Sequence, residues 1–294
     1  MPLLLGNFAS AGQPAVGGEI TVSGGYVYHA FKSTGTFTLN SFTTLNAEYL
    51  VVAGGGNGGG NGGGGGGAGG LRYGTITLQP QTSYTAIVGA SFTDSSFGSI
   101  TARRGGQGQV RDYDVGSGTG GSGGGGAGAV SAGTNSWALG QSGNTPSVNP
   151  SQGNNGGNGT GANGAGDPGC QAAGGGGGGA GSAGSAASTN TCGNGGVGTS
   201  SYSTWGAATG TGQNISGTYW FAGGGGGGST NFPACNQAYA SVGWSTGGNG
   251  GGSGSNDSSV LTYANTGGGG AGSNTRVGAN TTGNSGVVIV RYPV

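Results

Sequence analysis

Runs of closely spaced glycine occur eight times in this chain, and they limit its possible folds more than any other feature. Because glycine has no side chain to bury, such runs cannot be held by a conventional hydrophobic core. Each glycine inside an α-helix also costs about 1 kcal/mol relative to alanine. The runs therefore argue against a helical bundle. They cover residues 54–70, 116–128, 156–166, 174–184, 193–198, 223–228, 247–254 and 267–272.

The low charge content argues against several classes of protein. Seven basic and seven acidic residues among 294 cancel to a formal net charge of zero. The sequence therefore has neither the net charge typical of disorder nor the basic footprint of a nucleic-acid-binding protein. No apolar stretch reaches the roughly 18 residues of a transmembrane helix, and residues 1–5 lack the basic start of a signal peptide. We expect no nucleic-acid partner and no membrane insertion.

β-branched and aromatic residues concentrate outside the glycine runs, in short segments bounded by Gly, Ser and Asn, as is typical of strands. No window has the 3.6-residue apolar period of an amphipathic helix. The sequence predicts an all-β fold with a small N-terminal β portion, a C-terminal strand and almost no α-helix. The predicted strands are residues 19–22, 25–31, 36–39, 48–53, 75–78, 84–88 and 286–292.

An ordered glycine run can be stabilised only through its backbone, because it has one donor and one acceptor per residue and no side chains. In the extended left-handed helix with three residues per turn, these groups point outward and can bond to neighbouring helices. Glycine permits the close approach that such bonds need. We predict a polyglycine II lattice with at least six helices within residues 54–272, the alternative being flexible Gly/Ser linkers.

This interpretation divides the chain into four parts. Residues 1–17 are expected to be an N-terminal attachment segment. Residues 18–115 form a β-rich portion that contains the first glycine run, 54–70. Residues 116–285 hold polyglycine II helices with aromatic loops between them, and residues 286–294 form a closing β-strand.

Residues that could support catalysis or metal binding are few and scattered. His29 lies in a predicted strand beside Tyr28 and Phe31, which favours a packed or surface histidine over a catalytic one. Asp112 and Asp114 could bind a hydrated cation or perform acid–base chemistry, but a charge pair with nearby arginines is the favoured interpretation. The many G-x-G-x-x-G matches lack the following helix that a dinucleotide site needs. We predict no catalytic residue, no metal site and no cofactor.

The three cysteines lack the paired short spacings of a zinc site. A disulfide between Cys170 and Cys192 would tie two glycine runs together and would leave Cys235 unpaired. Whether any disulfide forms stays open at this point.

Aromatic residues in the segments between glycine runs are the best candidates for binding. They occur with many Asn, Ser, Thr and Gln residues, a composition that resembles binding loops, and tryptophan and tyrosine faces also suit sugar rings. The alternative is that these aromatics close the ends of a lattice that has no core of its own. The candidate receptor-binding residues are Trp137, Tyr202, Trp205, Tyr219, Trp220, Phe232, Tyr239 and Trp244.

Five short motifs in order carry a resemblance to a known family. They are YHAFKSTGTFTL at 28–39, YLVVAGGG at 49–56, YTAIVGA at 84–90, SFGSI at 96–100 and GVVIVRY at 286–292. The chain resembles the glycine-rich domains of phage tail and bacterial surface proteins, and is similar to the polyglycine II distal tail-fibre adhesins of T-even-type phages. The resemblance implies stacked polyglycine helices whose tip loops bind a bacterial receptor.

The resemblance also implies a location and binding partners for the protein. A location in the virion is expected, with a host surface glycan or outer-membrane protein as receptor. Other virion or fibre proteins and further copies of this chain are expected neighbours. The first hypothesis is a non-enzymatic tail-fibre or tail-tip adhesin, and the alternative is a purely structural virion or extracellular fibre subunit. Ice binding is a third hypothesis, although the regular Gly-x-x spacing expected for it is missing.

Overall fold

The computed structural model describes residues 14–111, 116–128, 138–160, 173–188, 191–228, 250–251, 263–273 and 282–294. These residues contain fourteen strands and one α-helix, α1, at Ser203–Thr209. The strands are β1 Ala15–Val16, β2 Glu19–Ser23, β3 Tyr26–Phe31, β4 Gly35–Leu39, β5 Leu45–Val52, β6 Leu71–Leu78, β7 Thr82–Ile87, β8 Ser95–Phe97, β9 Ile100–Ala102, β10 Gln213–Ile215, β11 Thr218–Trp220, β12 Gly250–Gly251, β13 Gly269–Gly270 and β14 Val287–Pro293.

Two five-stranded antiparallel sheets pack face to face. The first sheet has the strand order β1-β4-β7-β8-β9, and the second has the order β2-β3-β14-β5-β6. Their facing side chains form one hydrophobic core, in which Phe37 and Phe97 of the first sheet meet Val51, Val288 and Val290 of the second. These five side chains are fully buried. The sandwich therefore supplies the conventional core that the glycine runs lack.

The all-β prediction is confirmed, with three differences in detail. The C-terminal strand β14 lies in the middle of the second sheet, between β3 and β5, because its Val and Ile side chains are buried on both faces. The edge strand β1 pairs with β4, so the end of the expected attachment segment belongs to the sandwich. Helix α1 was not predicted, since seven residues are too few to show a periodic pattern.

The strands of the sandwich continue directly into glycine runs. β5 leads into 54–59, 63–70 leads into β6, and β9 leads into 103–109. We call the runs that hydrogen-bond side by side the glycine lattice. It comprises residues 54–59, 63–70, 103–109, 120–126, 140–143, 153–159, 174–180, 182–187, 193–198, 222–228, 267–272 and 283–286.

Run 63–70 shows the geometry of the lattice through its amide groups. Every third residue donates its N–H to the same neighbouring run, as a helix with three residues per turn requires. These N···O distances are 2.7–2.9 Å. The donor–acceptor pairs are Gly64–Gln109 and Gly67–Gly106 for one neighbour, Gly65–Gly175 and Ala68–Gly178 for a second, and Gly66–Gly270 and Gly69–Gly267 for a third.

The carbonyl groups of run 63–70 accept from three further runs, so six neighbours surround it. The pairs are Gly56–Gly67 and Ala53–Gly70, Ser122–Ala68 and Gly125–Gly65, and Gly225–Gly66 and Gly228–Gly63, with the donor first. A three-residue repeat bonded to six neighbours is the arrangement expected for packed polyglycine II helices. The hydrogen bonds therefore support the predicted lattice over flexible linkers.

Close backbone contact explains why the lattice needs glycine. A Cβ atom on Gly64, Gly65, Gly66 or Gly67 would lie 1.9–2.2 Å from a carbonyl oxygen of a neighbouring run or turn. Ala68 is the exception, because its methyl group joins a hydrophobic cluster outside the lattice. Run 103–109 was not among the predicted runs, since only three of its residues are glycine.

Candidate functional site

The outer face of the second sheet is half covered by the segment that contains α1. Trp205, Phe221 and Ala222 pack there on the buried side chains of Leu50 and Ile289. This contact closes the end of the lattice beside the sandwich, which we call the proximal end. The side-chain rows farther from the lattice, near the start of β5 and the end of β14, lie beyond this hydrophobic cluster.

Arg291 lies at the boundary between the covered and uncovered parts of this face. Its guanidinium carbon is 4.1 Å from the ring centre of Tyr26 and 4.3 Å from that of Trp205. The Nε group donates to Oε2 of Glu48 at 2.6 Å, and Nη1 donates to the hydroxyl of Tyr28 at 3.2 Å. Two aromatic contacts and two hydrogen bonds thus fix the guanidinium in one orientation.

Glu48 completes the network on the neighbouring strand. The hydroxyl of Tyr73 donates to its Oε1 at 2.6 Å. Burial by itself would raise the pKa of Glu48, but the hydrogen bonds from Tyr73 and Arg291 together lower it. The bond to Glu48, with burial, raises the pKa of Tyr73 to about 12. At neutral pH the network is therefore an ion pair with a protonated tyrosine, an arrangement suited to holding groups in place rather than to transferring protons.

Two of the predicted receptor-binding residues belong to this network. The rings of Tyr73 and Tyr202 are 5.0 Å apart, and Trp205 lies 6.1 Å from Tyr202. Trp205 is only 3% exposed, so it is packed inside the protein and lacks the exposed surface that was expected of a receptor-binding residue. The alternative interpretation, that aromatics close the lattice end, describes its role.

The other predicted residues fall into two groups. Tyr219 and Trp220 are half-buried on the β10–β11 hairpin, where the N–H of Tyr219 donates to the hydroxyl of Ser203 in α1 at 2.9 Å. The remaining four lie outside the described residues: Trp137, Phe232, Tyr239 and Trp244.

Sequence reasoning did not select Glu48 and Arg291 as site residues, although a signal for them exists. Each is the charged residue of an otherwise apolar strand segment, 48–53 or 287–292. A charge in a largely buried strand needs a partner of opposite sign. This need for a partner predicts that the two strands are neighbours with Glu48 opposite Arg291, and the register has this pairing.

Beyond Arg291, the uncovered rows of the second sheet form a groove of about 450 Å³. The antiparallel register places Asn46 opposite Thr77 and Glu48 opposite Thr75, so these four side chains share one face. Asn46, Thr75 and Thr77 are exposed. We call this the sheet-face groove, lined by Tyr26, Asn46, Ala47, Glu48, Thr75, Ile76, Thr77, Arg291 and Pro293.

The opposite end of the lattice, which we call the distal end, begins at the turn after run 54–59. This run spans roughly 19 Å at the rise of a polyglycine helix. Gly62 and Gly63 at this turn bond to three other residues: the N–H of Gly128 reaches Gly62 at 2.9 Å, that of Gly228 reaches Gly63 at 2.8 Å, and that of Gly62 reaches the carbonyl of Ser273 at 2.8 Å.

Three of these distal residues end described parts of the chain. Gly128, Gly228 and Ser273 directly precede segments that lie outside the described residues. Two of those segments contain all four remaining predicted aromatics. The segments are residues 129–137, 229–249 and 274–281.

The other candidate residues that the structure describes are held by packing, hydrogen bonds or an ion pair. His29 is fully buried, with Nδ1 2.7 Å from the carbonyl oxygen of Gly17 and Nε2 3.1 Å from the hydroxyl of Tyr292, as expected for a packed histidine. Arg103 pairs with Asp94 at 2.8 Å. Asp112 and Asp114 lie outside the described residues, as do Cys170 and Cys235, whereas Cys192 is half-buried.

The described residues contain neither a membrane-spanning helix nor a metal-binding cluster. No helix there has the length and apolar character needed to cross a bilayer. Within the same residues, no three His, Cys, Asp or Glu side chains come together in a way that could hold a metal ion.

Comparison with known proteins adds one positive finding. The family model described as a glycine-rich domain matches residues 32–293, nearly the whole chain. No curated protein and no solved structure matches the chain.

Proposed function

The chain belongs to the glycine-rich domain family, and we propose that it is a non-enzymatic phage virion protein, a tail-fibre or tail-tip adhesin that binds a host-cell surface receptor. The phage assignment rests on the resemblance of its five motifs to tail proteins. The adhesin assignment rests on the architecture, in which a sandwich holds one end of the lattice and three residues at the other end directly precede segments rich in small polar residues.

The observation that carries the proposal is the placement of Gly128, Gly228 and Ser273 together at the distal end. Each directly precedes a segment rich in small polar residues such as Asn and Thr, and two of these segments carry a tryptophan. Hydrogen bonds join each inner run of the lattice to its neighbours, as they join run 63–70 to six others. The lattice therefore holds the starting points of these segments at fixed spacing. Fixed starting points lower the entropy cost of presenting several segments to one receptor.

The charge of the protein favours a particular kind of receptor contact. The formal net charge is zero, and residues 229–249 contain no charged side chain. Binding through aromatic and small polar groups should depend only weakly on salt, because few ion pairs would be screened. A host surface glycan or an uncharged face of an outer-membrane protein fits this contact chemistry.

A structural virion or fibre subunit is the second candidate, and one feature of the sandwich favours it. Phe42, in the loop between β4 and β5, is 87% exposed, and Val22 on the edge strand β2 is 52% exposed. An exposed aromatic loop residue and an exposed apolar residue on an edge strand are each suited to contact with another virion protein or a further copy of the chain.

Competition for host cells distinguishes the two candidates. Purified full-length chain should block phage adsorption if it is the adhesin, and antibodies against it should decorate the tail tip in electron micrographs. Replacing Trp137 and Trp244 together by alanine should abolish this competition, whereas Phe42→Ser should leave it unchanged. If Phe42→Ser instead prevents incorporation into virions and the tryptophan variant competes fully, the structural-subunit function is correct.

A further inference from the structure

The sheet-face groove lies at the end of the molecule opposite the distal end of the lattice. It is formed where β3, β14, β5 and β6 extend beyond the cover of α1. Its volume of about 450 Å³ falls within the range of roughly 300–1,000 Å³ typical of small-ligand sites. Neither the proposed adhesin function nor the lattice requires such a groove.

The exposed lining of the groove consists of uncharged hydrogen-bonding groups. The hydroxyl of Thr77 donates to Oδ1 of Asn46 at 2.8 Å, which orders both side chains across the β5–β6 pair. The hydroxyl oxygen of Thr77 keeps its acceptor capacity, and the amide nitrogen of Asn46 keeps its donors. Thr75, which lies directly opposite Glu48 in the β5–β6 pair, adds a further hydroxyl. Donors and acceptors therefore alternate across a short distance, as they do along the hydroxyls of a sugar.

The charged part of the lining is rigid and has no net charge. Arg291 and Glu48 are joined at 2.6 Å, and their side chains are only 16% and 25% exposed. The Nε and Nη1 groups of Arg291 are occupied, but no hydrogen bond from Nη2 to the described residues is found. The fixed guanidinium of Arg291 can donate to one hydroxyl of a ligand, and the carboxylate of Glu48 beside it can accept from the next.

An apolar surface completes the lining. The half-buried ring of Tyr26 and the ring of Pro293 stand side by side on paired residues of β3 and β14. The guanidinium of Arg291 packs on the Tyr26 ring and holds it in place. Flat rings next to hydroxyl-directed donors and acceptors match the two surfaces of a pyranose, which presents C–H groups on its face and hydroxyls at its edge.

We propose that the sheet-face groove binds a neutral saccharide of one or two hexose units. The ligand is neutral because the positive charge of Arg291 is already balanced by Glu48, so an anionic sugar would approach the carboxylate without a free counter-charge. This site goes beyond the proposed adhesin function, because it uses other residues at the other end of the molecule.

Saturation-transfer NMR with the full chain tests the proposal. The probes are the methyl glycosides of glucose, galactose, mannose and N-acetylglucosamine, with N-acetylneuraminic acid as the anionic comparison. At least one neutral glycoside should show saturation of its ring protons. The variants Asn46→Ala and Thr77→Val remove exposed groups without touching the ion pair, and each should weaken binding at least fivefold. Thr38→Val, which removes an equivalent hydroxyl from the first sheet, is the matched control and should bind as the parent does.

The results separate this site from the proposed adhesin function. Glycoside binding that is lost in Asn46→Ala and Thr77→Val but kept in the Trp137 and Trp244 variant supports the groove, whatever the phage-adsorption result. Absence of saturation with every neutral glycoside would overturn the proposal. Binding that is unaffected by both groove variants, or that is strongest for N-acetylneuraminic acid, would overturn it as well.

Discussion

A Cβ atom on Gly177 would lie 2.0 Å from the carbonyl oxygen of Gly66, which belongs to a run more than a hundred residues earlier in the chain. The N–H of Gly177 donates to Gly225 at 2.8 Å, and its carbonyl accepts from Gly196 at 2.8 Å. Run 174–180 is therefore enclosed by other runs in the same way as run 63–70. Its stability comes from backbone contacts that tolerate no side chain.

Replacing Gly177 by valine should consequently disrupt the lattice. The side chain would displace the Gly66 carbonyl and break several of the surrounding hydrogen bonds, each of which contributes about 0.5–1.5 kcal/mol. We expect a loss of about 4 kcal/mol or more in the free energy of unfolding, measured by thermal melting. Ala186→Val, at an exposed position of run 182–187, is the control and should change it little. Equal melting temperatures for the two variants would contradict the packed lattice.

The lattice could be predicted from the sequence because glycine leaves only backbone interactions to consider. The same reasoning missed run 103–109, whose Arg103, Arg104 and Gln109 hide the pattern. Arg103 and Gln109 fit because the backbone, not the side chain, makes the contacts: both accept from run 63–70 through their carbonyls. Composition therefore identifies the architecture but not every member of it.

The site could be predicted only in part. Aromatic enrichment selected Tyr202 and Trp205, which do lie together, yet it could not tell that Trp205 is buried. Its burial depends on α1 folding onto the second sheet, a contact between segments that are far apart in the sequence. The sheet-face groove depends on strand register, since only the pairing of Asn46 with Thr77 brings their side chains together.

The Arg291–Glu48 pair should matter more for stability than the surface pair Lys32–Glu19. Arg291→Met would leave the Glu48 carboxylate partly buried without its cation and would remove the contacts with Trp205 and Tyr26. We expect a loss of about 2–3 kcal/mol in the free energy of unfolding by urea denaturation. Lys32→Met should cost less than about 1 kcal/mol, because that pair is solvated. Similar costs for both variants would contradict the structural role of the Arg291 network.

His29 should make the protein less stable in mild acid. Burial, opposed in part by the bond to the Gly17 carbonyl, lowers the pKa of His29 from 6.5 to about 4. Between these values the unfolded chain binds a proton that the folded chain does not, so stability falls as pH falls from 6.5 towards 4. The loss amounts to roughly 3 kcal/mol and ends below the folded pKa, where both states are protonated.

The non-titrating variant His29→Asn tests this origin. It should be less stable at pH 7 but should lose much less stability than the parent between pH 6.5 and pH 4, measured by denaturation at each pH. An unchanged slope in that window would assign the acid sensitivity to other groups.

Trp205 and Trp220 should behave differently on replacement by alanine, although both were selected as binding residues. Trp205 is 3% exposed and contacts Arg291, so its loss should cost about 3–5 kcal/mol and release α1 from the sheet. Trp220 is half-buried on a hairpin, and its loss should cost less than about 1.5 kcal/mol. Thermal melting distinguishes them, and any loss of host adsorption in Trp205→Ala would reflect unfolding. A Trp205→Ala variant with parental stability would contradict its packing role.

Hydrogen exchange should rank the glycine runs by the number of their neighbours. Gly67, inside the six-neighbour run, can exchange its amide only if hydrogen bonds to several other runs break together. The exposed run 182–187 can open by losing far fewer bonds, although its backbone contacts are of the same kind. We expect exchange at Gly67, measured by NMR, to be at least about 100-fold slower than at Gly184. Because both residues are glycines in the same lattice, composition cannot produce such a difference. Equal exchange rates would mean that the two runs open together as one cooperative unit, and would contradict this ranking.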